Sequence, residues 1–187
     1  TPSGEVFLNG LLNLFTPCLI LISVWILTST LSKLDAAPFL SALIQGKLPA
    51  GLFPAAVFFT GTLISFTTGT SWGTMGVLMP LALPVAVTLG GSGAEAELIP
   101  VTVAAVFSGA VFGDHCSPLS DTTIVSSISC EIDPLAHVQT QIPYALIAAG
   151  VALVVGFIPA GLGVPAWISL IAGFILLVFL PRIFKTN

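Results

Sequence analysis

The chain has 187 residues, 56% of them hydrophobic and 6% charged, with a formal net charge of −4 and a mean hydropathy of +1.11. Soluble domains carry roughly 25% charged residues, so a water-soluble fold is excluded. Only four residues are Lys or Arg, which excludes a polybasic surface for nucleic acid or anionic lipid. Residues 6–32, 48–94 and 138–181 contain no Asp, Glu, Lys or Arg, and each run is longer than the ~20 apolar residues that cross a bilayer. Apolar residues come in blocks rather than at every second position, which argues against an outer-membrane barrel. Helices then remain as the way to satisfy the backbone in lipid.

In chain order, the first expected span runs from about Val6 to Leu31. The chain opens on Thr1 and enters this span almost at once, so it is read as a fragment of a longer protein. Lys33, Asp35, Pro38, Gly46, Lys47 and Pro49 then bracket Phe39 to Ile44. That segment is too short to cross and is expected to be an interfacial helix or a loop. Cys18 lies inside the first span, and with Cys116 and Cys130 it makes an odd number, so no disulfide framework is implied.

The next apolar runs, Leu52 to Phe66 and Met75 to Leu89, flank the polar stretch Thr67-Thr68-Gly69-Thr70-Ser71-Trp72-Gly73-Thr74. One helix over residues 50–90 would be about 60 Å long, twice the hydrocarbon core. The chain must therefore turn back or unwind, with Thr67 to Thr74 at a re-entrant tip or at the meeting of two short spans. Thr67, Thr68, Gly69, Thr70, Ser71 and Thr74 offer hydroxyl and carbonyl oxygens without charge. They read equally well as neutral cation ligands or as small residues that let helices pack while the threonines bond back to their own helix.

Gly90, Gly91, Ser92 and Gly93, with Glu95 and Glu97, are expected to form a loop. The span from Leu98 to Phe112 runs into Gly113-Asp114-His115-Cys116-Ser117-Pro118-Leu119-Ser120-Asp121-Thr122-Thr123, and apolar sequence resumes at Ile124. This is the pattern of a helix broken midway, with carboxylates at the break. Charge at membrane depth costs ~2.5–3.5 kcal/mol or more and normally faces a polar pathway. Asp114 and Asp121, with the hydroxyls of Ser117, Ser120, Thr122 and Thr123, are thus candidate ligands for a hard cation, sodium above all. A carboxylate that holds either a cation or a proton, never both, yields antiport directly. The alternative left open is a surface loop in which Asp121 caps a helix starting at Thr122 or Thr123. His115 adjoins Asp114 and is a candidate proton relay or pH sensor. Glu131, Asp133, Pro134 and His137 mark a polar exit, and two further spans are expected at about Ile142 to Ile158 and Val164 to Leu180.

Gly69-Thr70-Ser71-Trp72-Gly73-Thr74 followed by Gly113 to Thr123 resembles the paired motifs of NhaC-type sodium/proton antiporters. The resemblance implies an all-α, polytopic transmembrane helical bundle with a re-entrant or broken hairpin and a discontinuous helix. It places residues 1–187 as the C-terminal membrane domain, one inverted-repeat half of such a transporter. By that likeness Asp114, Ser117, Ser120, Asp121 and Thr122 belong to the ion site, faced by Thr68, Thr70, Ser71 and Thr74. The implied function is exchange of sodium for protons across the cell (plasma) membrane by a multi-pass protein. Some relatives of this kind instead resemble malate/lactate or amino-acid exchangers, so a coupled organic-acid or amino-acid exchanger is the alternative. The partners expected are the lipid bilayer, sodium ions, protons and the missing N-terminal half; a homodimer is left open. No cofactor beyond the transported sodium and no enzymatic reaction is expected. An aspartyl-protease dyad would need two carboxylates sharing a proton, whereas these two lie on one short segment.

Overall fold

The computed structural model describes residues 4–9, 11, 12, 22, 26, 29, 30, 33, 34 and 48–184, without the side chains of 91–97, 121, 128 and 180–184. The expected span from Val6 to Leu31 is covered only at scattered, mostly helical positions, and Phe39 to Ile44 lies outside the described residues. Among the described residues there is no strand, and four helical stretches are long and apolar enough to cross a membrane: Ala50–Thr68, Ser71–Gly90, Leu98–Cys116 and Pro134–Gly161. The fold is an all-α polytopic bundle.

A 3-10 turn, Ala50–Leu52, leads into α1, Phe53–Thr68. Pro54 sits in the first turn, where its missing N–H costs nothing and its fixed φ suits the helix. The helix stops at Gly69, which adopts φ 66° and donates its N–H to the Ser65 carbonyl at 2.8 Å. This left-handed cap is open to glycine at little cost. Thr70 is extended (φ −141°) and starts α2, Ser71–Cys116, its hydroxyl accepting from the Gly73 N–H at 3.2 Å. The turn expected within Thr67 to Thr74 is therefore made by two residues, Gly69 and Thr70.

The helical path of α2 is unbroken over 46 residues and includes the glycine-rich stretch expected as a loop. It is nevertheless folded back on itself. A Cβ on Gly61 would lie 3.2 Å from Leu78 Cδ2 and 3.4 Å from the Ala110 nitrogen. In a straight helix those two residues would stand about 48 Å apart at ~1.5 Å per residue. The direction of the chain thus reverses between a first arm, Ser71–Gly90, and a second arm, Leu98–Cys116. The loop expected over Gly90 to Glu97 is thus helical backbone, within which the direction reverses.

Both arms pack on α1. The core gathers Phe53, Val57 and Phe58 from α1, Leu78, Ala82, Val85 and Ala86 from the first arm, and Leu98, Ala105 and Val106 from the second. Gly109 and Gly113 let the second arm touch α1 backbone to backbone: a Cβ at either would overlap the carbonyls of Phe58 and Thr62 respectively. Spaced four apart, they form the small-xxx-small seam of membrane helices. Ser65 fastens the seam by donating to the Ala110 carbonyl at 2.6 Å.

After Cys116 the chain unwinds and restarts as α3, Asp121–Ser129; α4 follows as Pro134–Val151. Asp133 caps α4 by accepting from the Ala136 N–H at 2.9 Å, and Pro134 takes the first turn. The helix widens to π geometry over Ala152–Phe157, ends as α5, Ile158–Gly161, and is followed by α6, Ala166–Phe184. Phe157 stacks on Phe58 with centroids 5.0 Å apart, bringing this long span against the hairpin core. The span starts at Pro134, earlier than expected, because the polar exit residues form its cap and first turn.

Candidate functional site

Each of the two helix breaks that meet here has a local cause. The first is the left-handed Gly69 followed by extended Thr70. The second is Ser117 to Ser120, where Pro118 supplies no N–H and biases Ser117 away from helix, to φ −78°, ψ 129°. Helical backbone thus reaches Cys116, so Asp114 and His115 stand in the last turn of α2, while Asp121 is the first residue of α3.

Tertiary packing places the breaks against each other. A Cβ on Gly69 would meet the Leu119 carbonyl carbon and oxygen at 2.8 Å and the Ser120 nitrogen at 3.1 Å. Ser117, fully buried, donates its hydroxyl to the Phe66 carbonyl at 2.8 Å and accepts from the Leu119 N–H at 3.2 Å. One serine therefore joins the last turn of α1 to the second break and shapes the backbone within it.

Around this junction the buried side chains are polar. Asp114 is 8% exposed, and Thr122 Oγ1 donates to its Oδ2 at 3.4 Å. Ser120 and Thr122 share a hydrogen bond of 2.7 Å. Thr74 is buried and donates to the Thr70 carbonyl at 2.8 Å. Thr123 and Ser127 are also buried on α3, four residues apart and so on one face. No lysine or arginine occurs between residues 48 and 181. The Asp114 carboxylate and the carbonyl-rich end of α2 present negative ends to the same small volume, with hydroxyl oxygens beside them. Oxygen donors with excess negative charge suit a hard cation. The N-terminus of α3, the positive end of its dipole, begins at Asp121; the Asp121 side chain is outside the described set.

The remaining sequence candidates are distributed differently. Thr67 and Thr68 are exposed, and their hydroxyls donate to Leu63, Ile64 and Ile64 carbonyls of their own helix at 2.7–2.9 Å. Ser71 is half-buried at the start of α2. His115 is exposed and turns to α4, where its ring lies against the Gln141 side-chain amide. Beside it, Phe107, Ser108, Val111 and Phe112 line a groove of about 510 Å³ on the outer face of the second arm. Three contributors escaped the motif reading: Ser65, Ser127 and Gln141. Ser127 was detectable as the i+4 partner of Thr123; nothing in local sequence marked Ser65 or Gln141.

Comparison with known proteins adds family-level information. The sequence model described as the Na+/H+ antiporter family matches residues 3–162. An uncharacterised protein of Haemophilus influenzae is 40% identical over 147 residues, 76% of this chain and 27% of that protein. The malate-2H+/Na+-lactate antiporter of Bacillus subtilis is 34% identical over 161 residues, 84% of this chain and 33% of its own length. An uncharacterised Na+/H+ antiporter of Haemophilus influenzae is 35% identical over 143 residues, 74% of this chain and 29% of its own length. The chain thus spans about a third of the length of the relatives it matches. No solved structure matches it.

Proposed function

The chain belongs to the Na+/H+ antiporter family, and on that premise we propose that the complete protein is a secondary transporter exchanging sodium for protons across the plasma membrane. Residues 1–187 are one inverted-repeat half, the C-terminal one, and work together with an N-terminal half of the same protein. The observation that carries this reading is Asp114: a buried carboxylate between two abutting helix breaks, bonded by a threonine hydroxyl, in a stretch without a basic residue. Charge among membrane-spanning helices is costly, and where it is kept it normally marks an ion or proton pathway.

In this reading Asp114 and Asp121 are the carboxylates that hold sodium or a proton in alternation. Ser120 and Thr122 supply neutral oxygens, with Ser117, Thr123, Gly69, Thr70, Ser71 and Thr74 closing the site around them. Exchange follows from competition: a proton on the carboxylate removes the charge that attracts sodium, and sodium displaces the proton. Thr67 and Thr68 contribute to the helix end rather than to the ion, since their hydroxyls are committed to carbonyls of α1.

The test uses everted vesicles containing the complete protein and a pH-sensitive dye. Sodium should collapse a preformed proton gradient, and Asp114→Asn or Asp121→Asn should abolish the response while the protein still inserts. A full response in both variants would refute the assignment. One observation favours a second reading, the 34% identity to a malate-2H+/Na+-lactate antiporter over 84% of the chain. If no inorganic cation elicits a response and malate or lactate does, the protein is an organic-acid exchanger built on the same site.

A further inference from the structure

Ser65 is fully buried on α1, and its polar groups serve both sides of the site. Its carbonyl accepts the Gly69 N–H at 2.8 Å, which closes α1 at the first break. Its hydroxyl donates across the seam to the Ala110 carbonyl at 2.6 Å. Ala110 lies four residues before Asp114 within α2, and in the helical pattern its carbonyl is the acceptor of the Asp114 N–H. The Ser65 hydroxyl thus takes the second lone pair of the oxygen that holds the Asp114 backbone. Ser65 also abuts the residue before Asp114: a Cβ on Gly113 would lie 2.8 Å from the Ser65 Cβ and from the Phe66 nitrogen. On the far side of Asp114, Ser117 donates to the Phe66 carbonyl at 2.8 Å. Two neighbouring residues of α1 therefore hold the turn that carries Asp114 at both of its ends.

We infer that Ser65 is a positioning residue: through the Ala110 carbonyl and the Gly113 contact it fixes the last turn of α2 on α1, and with it the place from which Asp114 meets Thr122. The hydroxyl itself is committed to Ala110 and is not an ion ligand. The bond from Thr122 to Asp114 is 3.4 Å long, near the limit for a hydrogen bond, so a small displacement of the turn is enough to break it. The consequence for sodium rests on the antiport reading; the hold on the turn does not. Ser65→Ala isolates the effect, because the Ala110 carbonyl keeps the Asp114 N–H and no buried acceptor is orphaned. Alanine also favours the helix, so the variant is expected to fold.

The experiment uses the complete protein in vesicles. In Ser65→Ala the sodium KM should rise about three- to tenfold, the loss of one buried hydrogen bond, with kcat per folded molecule little changed. Thr62→Val, one turn earlier on α1, removes a hydroxyl that serves only its own helix and should move KM by less than about twofold. In a Thr122→Val background, Ser65→Ala should raise KM by a clearly smaller factor, because two changes acting on one carboxylate are not additive. A merely structural role would lower the yield of folded protein and leave KM alone, or raise it by the same factor in both backgrounds. A second readout needs no transport. With every other cysteine replaced, Cys18→Ser and Cys130→Ser among them, Cys116 is 5% exposed and reports on the same turn. Its labelling by a small methanethiosulfonate should become about threefold faster or more in Ser65→Ala and stay unchanged in Thr62→Val. An unchanged KM, unchanged labelling, equal factors in the two backgrounds, or an equal effect of Thr62→Val overturns the inference. If the wild-type protein gives no response to sodium, the antiport reading falls, and the labelling comparison alone upholds or overturns the hold of Ser65 on the turn.

Discussion

Replacing Gly69 by alanine tests whether the contact between the two breaks holds the site together. The residue sits at φ 66°, where an L side chain costs about 1–2 kcal/mol. The new methyl would lie 2.8 Å from both the carbon and the oxygen of the Leu119 carbonyl and 3.1 Å from the Ser120 nitrogen. Ordinary contact is about 3.5 Å, so backbone on one side must retreat by roughly 0.7 Å. Overpacking of this kind costs about 1–3 kcal/mol, giving about 2–5 kcal/mol in all. The displaced atoms belong to the segment that ends at Ser120, so the hydroxyl pair of Ser120 and Thr122 moves with them. Thermal denaturation of the purified complete protein in detergent should show a clear fall in the midpoint, and sodium-driven proton movement in vesicles should drop at least as steeply. Gly150→Ala is the control: it is mid-helix with nothing within 4 Å of a new Cβ, and should gain about 0.5–1 kcal/mol from helix propensity. A Gly69→Ala protein as stable and as active as wild type would falsify the claim that the breaks are in contact.

Two further substitutions separate site from scaffold. Thr122→Val removes the hydroxyl bonded to Asp114 and should raise the sodium KM by about fivefold, equivalent to about 1 kcal/mol, whereas Thr67→Val, whose hydroxyl serves its own helix, should change KM by less than about twofold; equal effects of the two in vesicle assays would count against the site as drawn. Asp133→Ala removes the cap of α4 and should lower stability by about 1 kcal/mol, seen as a lower denaturation midpoint with an unaltered sodium KM.

Much of the architecture is written locally. Runs without charge longer than a bilayer crossing dictate helices, because lipid offers the backbone no other partner. Gly69, Thr70 and Pro118 dictate where those helices break, through backbone sterics and a missing N–H. The same local chemistry indicated a turn near Gly90, but not that its backbone would stay helical while reversing. It also left the boundary of the second break open: Asp114 and His115 proved to be helical, since Pro118 turns Ser117 extended and withholds the N–H that would reach the Asp114 carbonyl, yet leaves the backbone helical as far as Cys116.

What the tertiary structure alone decided is which groups meet. Spans that are apolar all round carry no amphipathic stripe to say which face turns inward. The pairing of Gly69 with Leu119, of Ser65 with Ala110, of Ser117 with Phe66 and of His115 with Gln141 spans 26 to 51 positions of sequence. No local propensity encodes such pairs; the first three follow from Gly109 and Gly113 admitting the α1 backbone at one register, which sets the two breaks against each other. The sequence by itself thus determined the helices, their interruptions and the presence of a carboxylate at the second one. Close packing decided that Thr122 is the hydroxyl bonded to that carboxylate, because contact distances between helices depend on side-chain size at the seam rather than on the order of residues along either helix.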